Sequence, residues 1–196
     1  MLPLTLEALR ASSHAFTFRP FYGHTARADG RVSDACFSQW SPCRFVVDGI
    51  EYVTAEQFMM AGKARLFGDR EALAKILAER SPAKAKALGR QVRRFDAAAW
   101  EQHRFDLVAF GSHAKFSQDE ALKAHLLATG QSILVEAAPR DRIWGIGLGR
   151  ENPLVNEPKR WRGRNLLGFA LVHARDVLRE QRPAIAGGPW RRMVDE

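Results

Sequence analysis

The chain has 196 residues, 46% of them hydrophobic, which is enough for one sizeable core and excludes a disordered protein. It contains no run of about 18 apolar residues, so we expect no membrane-spanning helix. The net charge of +8 favours an anionic partner, whether nucleic acid, a nucleotide or a phosphosugar.

The start of the chain and its cysteines both indicate a cytoplasmic protein. Residues 1–7 lack the basic and apolar regions of a signal peptide. Cys36 and Cys43 are seven residues apart, a spacing that fits no zinc site without further ligands. We therefore expect two reduced thiols and no metal site, and the six histidines show no metal-binding spacing either.

The first predicted elements are short. Residues 1–15 fit a short amphipathic helix or a loose surface segment. Residues 44–53 alternate apolar and polar side chains around Asp48-Gly49. That dipeptide favours the left-handed conformation that a type I′ turn needs, so the segment predicts a β-hairpin.

Helices are predicted from Thr54 onward. Thr54 and Gln57 form a capping box, and the helix that they open should run to about Phe67. Capping residues and apolar spacing predict that further helices begin at Asp69, Ser81, Asp96 and Gln118. Gly68, Gly89 and Gly130 are expected to end the first, third and fifth of these helices.

The last third of the chain predicts one strand and one helix. Residues 132–136 have an apolar centre, Ile133-Leu134-Val135, which is typical of a strand, and a loop-rich stretch follows at 139–161. A final helix is expected over residues 165–179. From Arg182 onward, proline, glycine and charge predict a loose tail.

These elements predict a mainly α fold with a small antiparallel β-sheet. We expect a single compact domain over residues 16–180. An N-terminal segment, 1–15, would precede it, and a flexible C-terminal tail, 181–196, would follow.

The first candidate site is the helix that begins at Thr54. At about 100° per residue, Glu56 and Lys63 differ by only about 20° in direction, so they share one stripe of the helix. Met59 and Met60 lie between them. Such a stripe can line a pocket, but its spacing alone favours a solvated surface.

The second candidate site is the loop of residues 139–149. Gly145 allows the backbone to approach a ligand, but Arg150 stands where a dinucleotide-binding fingerprint needs its third glycine. A tight structural loop is the alternative. Trp144 can stack on a base or pack in the core, and Asp141 can orient a hydroxyl group or a water molecule.

The third candidate site is a basic segment before the last helix. Arg162, Arg164 and Asn165 lie where that helix begins. Guanidinium groups and the free amides of a helix N-terminus suit a phosphate group. A solvated basic turn is the alternative.

Five motifs together resemble the NADAR, or YbiA-like, family. They are Phe37-Ser38-Gln39-Trp40, Phe45–Gly49, Thr54–Ala64, Asp141–Leu148 and Trp161–Gly168. The resemblance covers about residues 16–179 in order and spacing. One departure is Ser112-His113, where many relatives have Asn-Leu.

The resemblance implies a compact, mainly α fold and N-glycosidase chemistry without a cofactor. It places Glu56, Lys63, Asp141, Trp40, Trp144 and Asn165 in the pocket. Glu56 would act at the ribose, Asp141 would hold ribose hydroxyls or water, and Trp40 or Trp144 would stack on the base. Lys63 would bind phosphate or form a Schiff base. Gly145, Arg162 and Arg164 would contact the substrate.

The family's substrates leave three functions open. The first is removal of ADP-ribose from ADP-ribosylated guanine in nucleic acid, which the basic charge favours. The second is hydrolysis of a phosphorylated, nucleotide-like intermediate of riboflavin biosynthesis. The third is a non-catalytic module that binds ADP-ribose or a nucleotide and has no need of Glu56.

Overall fold

The computed structural model describes residues 2–180 and 187–191. Its helices are α1 (Leu6–Ala11), α2 (Ala55–Leu66), α3 (Arg70–Ala78), α4 (Pro82–Arg90), α5 (Ala97–Ser117), α6 (Glu120–Leu127) and α7 (Leu166–Arg179). Its strands are β1 (Phe18–Phe21), β2 (Phe45–Val47), β3 (Ile50–Tyr52) and β4 (Ile133–Glu136). None of these helices is long and apolar enough to cross a membrane.

The predicted hairpin is confirmed. Strands β2 and β3 pair antiparallel, with Val47 opposite Ile50. Asp48 and Gly49 connect them with φ angles of 51° and 76°. Two successive positive φ angles are the conformation of a type I′ turn, which Asp-Gly adopts with little strain.

The predicted mainly α fold with a small antiparallel sheet is confirmed, and the structure adds a second small sheet. A second pair of strands, β1 and β4, runs parallel, with Phe18 opposite Ile133 and Phe21 opposite Glu136. More than 100 residues separate these strands, so their pairing depends on the packing of the helices between them. Local patterns predicted β4 but could not predict its partner.

The first predicted helix is confirmed, with a change in its capping box. Thr54 Oγ1 accepts a hydrogen bond from Gln57 N–H at 3.1 Å, as the motif requires. The Gln57 side chain does not return to Thr54. Its Oε1 instead accepts from Val53 N–H at 2.9 Å, and its Nε2 donates to three carbonyls at the end of α3. Gln57 therefore joins α2 to both the hairpin and α3.

The prediction that Gly89 ends its helix is wrong. Helix α4 continues to Arg90, and Gln91 is its C-cap. A Cβ atom at Gly89 would collide with the side chain of Met60 on α2. This glycine is needed for the close approach of two helices and not for a left-handed turn. At the other two predicted stops, Gly68 and Gly130 do have positive φ angles.

The remaining helix starts agree with the capping residues to within one or two positions. Asp69, Ser81 and Asp96 each accept a backbone N–H from their own helix. Helix α6 is capped by Asp119, one residue after the predicted Gln118. In that position Gln118 binds the backbone of Val46 on β2.

The predicted loose tail is only partly described. Residues 181–186 and 192–196 lie outside the described part of the chain. Within residues 187–191, Trp190 is buried, with 1% of its surface exposed. Its ring contacts Phe58 and Phe110, and Arg191 pairs with Asp48 of the hairpin turn. This segment is bound to the core.

Helices α5 and α7 pack on each other. Helix α5 also packs on α2, and α7 packs on β4. The main core lies between these four elements. A smaller cluster on the other face of β4 includes Leu6, Leu9, Val135 and Trp161. Burying a side chain such as these stabilises the fold by about 1.5–3 kcal/mol. Cys36 and Cys43 are free thiols.

Replacing Gly168 with alanine is expected to destabilise the fold. Gly168 lies in the first turn of α7, and a Cβ atom there would collide with the backbone oxygen of Leu134 and with the Asn165 side chain. Overpacking of this kind costs about 1–3 kcal/mol of unfolding free energy, which urea denaturation measures. The control is Gly149→Ala, which meets no atom within 4 Å. Equal stability of the two variants would contradict the expectation.

Candidate functional site

Glu56, in the first turn of α2, is almost completely buried, with 2% of its surface exposed. Its Oε2 accepts a hydrogen bond from the indole N–H of Trp40 at 3.2 Å, and its Oε1 has no partner among the described residues. Burial raises the pKa of this carboxyl group to about 7, against the charges of Lys86 and Arg90 and the Trp40 hydrogen bond. Near neutral pH, both the protonated and the ionised form of the Glu56 carboxyl group are therefore populated.

Trp40 reaches Glu56 because two contacts fix the turn before it. Glu56 N–H donates to the carbonyl of the residue that precedes Trp40, at 2.9 Å. Lys115, buried on α5, donates to the carbonyls of Cys36 at 2.6 Å and Ser38 at 3.2 Å. The first contact joins the turn to α2 and the second joins it to α5.

A cavity of about 410 Å³ adjoins Trp40. Its wall includes Tyr22, His24, Lys86 and Glu136 as well as Trp40. The volume falls within the range of small-molecule sites, and the wall combines aromatic, cationic and acidic groups.

Glu136 is a second acid of this site, and sequence reasoning did not select it. It ends β4, and its backbone N–H donates to Asn165 Oδ1 at 2.9 Å. Its Oε2 is buried without a partner among the described residues. Burial, followed by repulsion from Asp141, raises the pKa of the Glu136 carboxyl to about 8. A signal was available, since a charged residue ends an otherwise apolar strand just before the Asp141 loop.

Lys86 was also missed, because nothing in the pattern of α4 distinguishes it from a surface lysine. Its amine lies 5.7 Å from the centre of the Trp40 ring. The positive charge lowers the pKa values of Glu56 and Glu136 and partly offsets their burial. Lys86 is a cation from α4 in the wall of the cavity.

Asp141 lies close enough to the two glutamates for its charge to raise both pKa values. One of its oxygens, Oδ1, is already bound to the loop. It accepts the N–H groups of Ile143 and Trp144 at 2.8 Å each. Asp141 therefore shapes the loop that carries Trp144, which is partly buried against the core.

Asn165 and Gly145 both contact the backbone of Glu136. Asn165 is fully buried and has a φ angle of 57°. Its Nδ2 donates to Leu134 O at 2.9 Å, while its Oδ1 holds Glu136, so the side chain joins α7 to β4. Gly145 O accepts Asn165 N–H at 3.2 Å, and a Cβ atom at Gly145 would lie 2.9 Å from Glu136 O. Both residues position Glu136, and their predicted substrate contacts stay predictions.

Arg162 and Arg164 are exposed, as a phosphate-binding role requires. Arg164 pairs with Glu101 of α5, which also pairs with the buried Arg104. Arg164 N–H also donates to the carbonyl of Arg142, which places this basic cluster beside the Asp141 loop. The predicted phosphate contacts of Arg162 and Arg164 stay predictions.

Lys63 lies two turns along α2 from Glu56, about 10 Å along the helix axis. Its amine donates to Gly89 O at 2.8 Å and lies 4.2 Å from the centre of the Phe95 ring and 5.6 Å from that of Trp100. Desolvation by these neighbours lowers the pKa of Lys63. The structure thus brings Glu56, Trp40 and Asp141 together but gives Lys63 its own surroundings.

The two raised pKa values predict that stability falls as pH rises. An unfolded glutamate has a pKa near 4.5, whereas Glu56 and Glu136 hold their protons to about pH 7 and 8 in the fold. Between these limits the native state binds more protons than the unfolded state, so the free energy of unfolding decreases with pH. Urea denaturation from pH 5 to 8.5 measures the slope. Replacing both residues with glutamine should flatten it, and an unchanged slope would contradict the assignment.

Comparison with known proteins matches most of the chain to one family. The model of the NADAR domain family matches residues 21–179. An N-glycosidase of Acanthamoeba polyphaga mimivirus is 46% identical over 145 residues, which cover 71% of this chain and 85% of that protein. A riboflavin biosynthesis protein of Vibrio vulnificus is 30% identical over 142 residues, which cover 72% of this chain and 35% of that protein. The solution structure of Escherichia coli YbiA matches with a TM-score of 0.68 and 26% identity, over 92% of this chain and 95% of that one.

Proposed function

Because the chain belongs to the NADAR domain family and is an N-glycosidase, we propose that it removes ADP-ribose from ADP-ribosylated guanine in nucleic acid. The observation that carries the catalytic part is Glu56, a buried carboxyl with an unpartnered oxygen beside the Trp40 cavity. Burying such a group costs stability, and a module that only binds its ligand has no need of that cost.

Cleavage of an N-glycosidic bond requires a group such as a buried carboxylate near the ribose. Cleavage of an N-glycosidic bond builds positive charge on the ribose C1 and ring oxygen. An ionised Glu56 in a site of low dielectric stabilises that charge more strongly than a solvated carboxylate would. Glu56 also accepts the proton that the attacking nucleophile loses.

The aromatic and cationic groups support a nucleotide substrate. The Trp40 indole and the Tyr22 ring at the cavity wall offer flat faces for a base. Lys86 lies at the cavity, and the exposed Arg142, Arg162 and Arg164 lie on adjoining loops. Together with the net charge of +8, these groups favour a substrate that carries several phosphates.

Lys63 has two possible roles in this proposal. As an ammonium, it would bind a substrate phosphate. As a neutral amine, which its lowered pKa favours, it would attack the ribose C1 and form a Schiff base with the opened sugar. The two roles differ in whether a covalent adduct forms.

A second candidate substrate is a phosphorylated intermediate of riboflavin biosynthesis. The observation that favours it is the name of the Vibrio vulnificus relative. This substrate would need the same acid and the same stacking surface. It would not need the exposed arginines outside the cavity.

Product analysis distinguishes the two substrates. The protein is incubated with an oligonucleotide that carries ADP-ribosylated guanine and, separately, with phosphorylated riboflavin intermediates. We expect release of free ADP-ribose and recovery of unmodified guanine, with slower or no cleavage of the intermediates. Preferred cleavage of the intermediates would replace the first proposal with the second. Binding of either compound without release of base or sugar would contradict both.

A further inference from the structure

Glu136 lies in the wall of the cavity, but the roles proposed above for Glu56 do not involve it. It lines the cavity, and its Oε2 is buried without a partner among the described residues. Its backbone is fixed on both sides, since its N–H donates to Asn165 Oδ1 at 2.9 Å and its carbonyl accepts Ile146 N–H at 3.0 Å. A carboxyl group held in place with one free, buried oxygen is available to a ligand in the cavity.

The groups that face Glu136 keep it in a different state from Glu56. Lys86 on α4 favours its ionised form, whereas Asp141 on the following loop and Glu56 on α2 oppose ionisation. Burial is the main cause that raises the pKa of Glu136, to about 8. The Trp40 hydrogen bond favours the ionised form of Glu56, whereas Oε2 of Glu136 has no donor among the described residues and can keep its proton. Pairs of acids whose environments separate their pKa values are typical of acid–base catalysis.

We propose that Glu136 is the general acid of the N-glycosidase reaction and protonates the base nitrogen as it leaves the ribose. This inference rests on the proposed N-glycosidase function of the same cavity. A purine or pyrimidine nitrogen that departs without a proton carries negative charge, and proton transfer to it removes that part of the barrier. In this proposal Glu56, whose Oε2 accepts the Trp40 indole N–H, acts at the ribose.

Glu136 gives up one proton and Glu56 takes up one proton in the proposed reaction. The bond between ribose C1 and the base nitrogen breaks, its electron pair stays on the nitrogen, and that nitrogen takes the Glu136 proton. A nucleophile, either water or the Lys63 amine, forms the new bond to C1, and Glu56 takes the proton that it loses. Water finally supplies the hydroxyl group on C1. Proton return from Glu56 to Glu136 through water restores the starting state.

The test compares Glu136→Gln with wild type on two leaving groups. On a substrate whose base must be protonated, we expect kcat to fall by about 10²- to 10⁴-fold. On an N-ribosyl pyridinium compound, whose base leaves as a neutral molecule, we expect kcat within about threefold of the wild-type value. Glu56→Gln should lose activity on both compounds. That pattern separates a failure of this inference from a failure of the proposed function.

The pH profile gives a second readout that does not depend on the pyridinium compound. The wild-type rate should fall on the alkaline side as Glu136 loses its proton, and Glu136→Gln should lack that alkaline limb. Glu151→Gln, at an exposed position, is the matched control, and circular dichroism verifies that the variants fold. Near wild-type activity of Glu136→Gln on the first substrate, or retention of its alkaline limb, would overturn the proposal.

Discussion

Replacing Glu56 with glutamine is expected to lower kcat by about 10²- to 10⁴-fold with a smaller change in KM. Glutamine has nearly the same shape as glutamate, and its carbonyl oxygen can still accept the Trp40 indole N–H. The substitution therefore removes the charge that stabilises the ribose and the base that accepts a proton, while the cavity remains. Steady-state kinetics with the ADP-ribosylated oligonucleotide measures the effect.

The fold of this variant should survive, because Glu56 is a buried acid with an unpartnered oxygen. Removing its ionisable group is expected to preserve or raise the free energy of unfolding at pH 8. The control is Glu51→Gln, at an exposed position on β3 of the hairpin. A folded Glu56→Gln enzyme with full turnover would remove Glu56 from the mechanism.

Replacing Lys63 with alanine is expected to produce the second large effect, a loss of about 10²-fold or more in kcat. The amine is desolvated by Phe95 and Trp100, and its lowered pKa increases the fraction that is neutral and nucleophilic. To attack, Lys63 must exchange its hydrogen bond to Gly89 O for the substrate. In the presence of substrate, borohydride should then reduce a Schiff base to a stable adduct, detectable by mass spectrometry.

The matched control is Lys75→Ala, since Lys75 is an exposed lysine on α3 that pairs with Glu71. This variant should retain both turnover and the adduct, and Lys63→Ala should form none. Absence of an adduct in the wild-type protein would exclude the covalent role. A rise in KM without a fall in kcat would then assign Lys63 to phosphate binding, whereas an adduct that persists in Lys63→Ala would place the nucleophile elsewhere.

Local patterns predicted much of the fold because their causes are local. Asp48-Gly49 specified the hairpin turn, and Thr54, Asp69 and Asp96 marked helix starts through side chains that accept nearby backbone N–H groups. The failure at Gly89 shows the limit of this reasoning. A glycine near a helix end has two explanations, and only the position of Met60 on another helix distinguishes them.

The candidate site was predicted in part. Glu56 and Trp40 came from motifs, and the structure joins them through a hydrogen bond. Glu136 was missed although it is the charged end of an apolar strand, and Lys86 was missed because it has an ordinary position on α4. They acquire a role in the site only where β4 and α4 both reach the cavity.

The hairpin, the helix caps and the stripe that carries Glu56 and Lys63 follow directly from local patterns in the sequence. These features depend on backbone sterics and on neighbours within about four residues, which the sequence contains directly. The parallel β1–β4 pair and the protonation state of the buried acids depend instead on how distant elements pack together. The pKa of Glu56 or Glu136 depends on how much water the surrounding elements exclude and on charges brought near by folding. Desolvation is a property of the packed molecule, so a glutamate that reads as a surface residue in the sequence becomes a candidate catalytic acid in the fold.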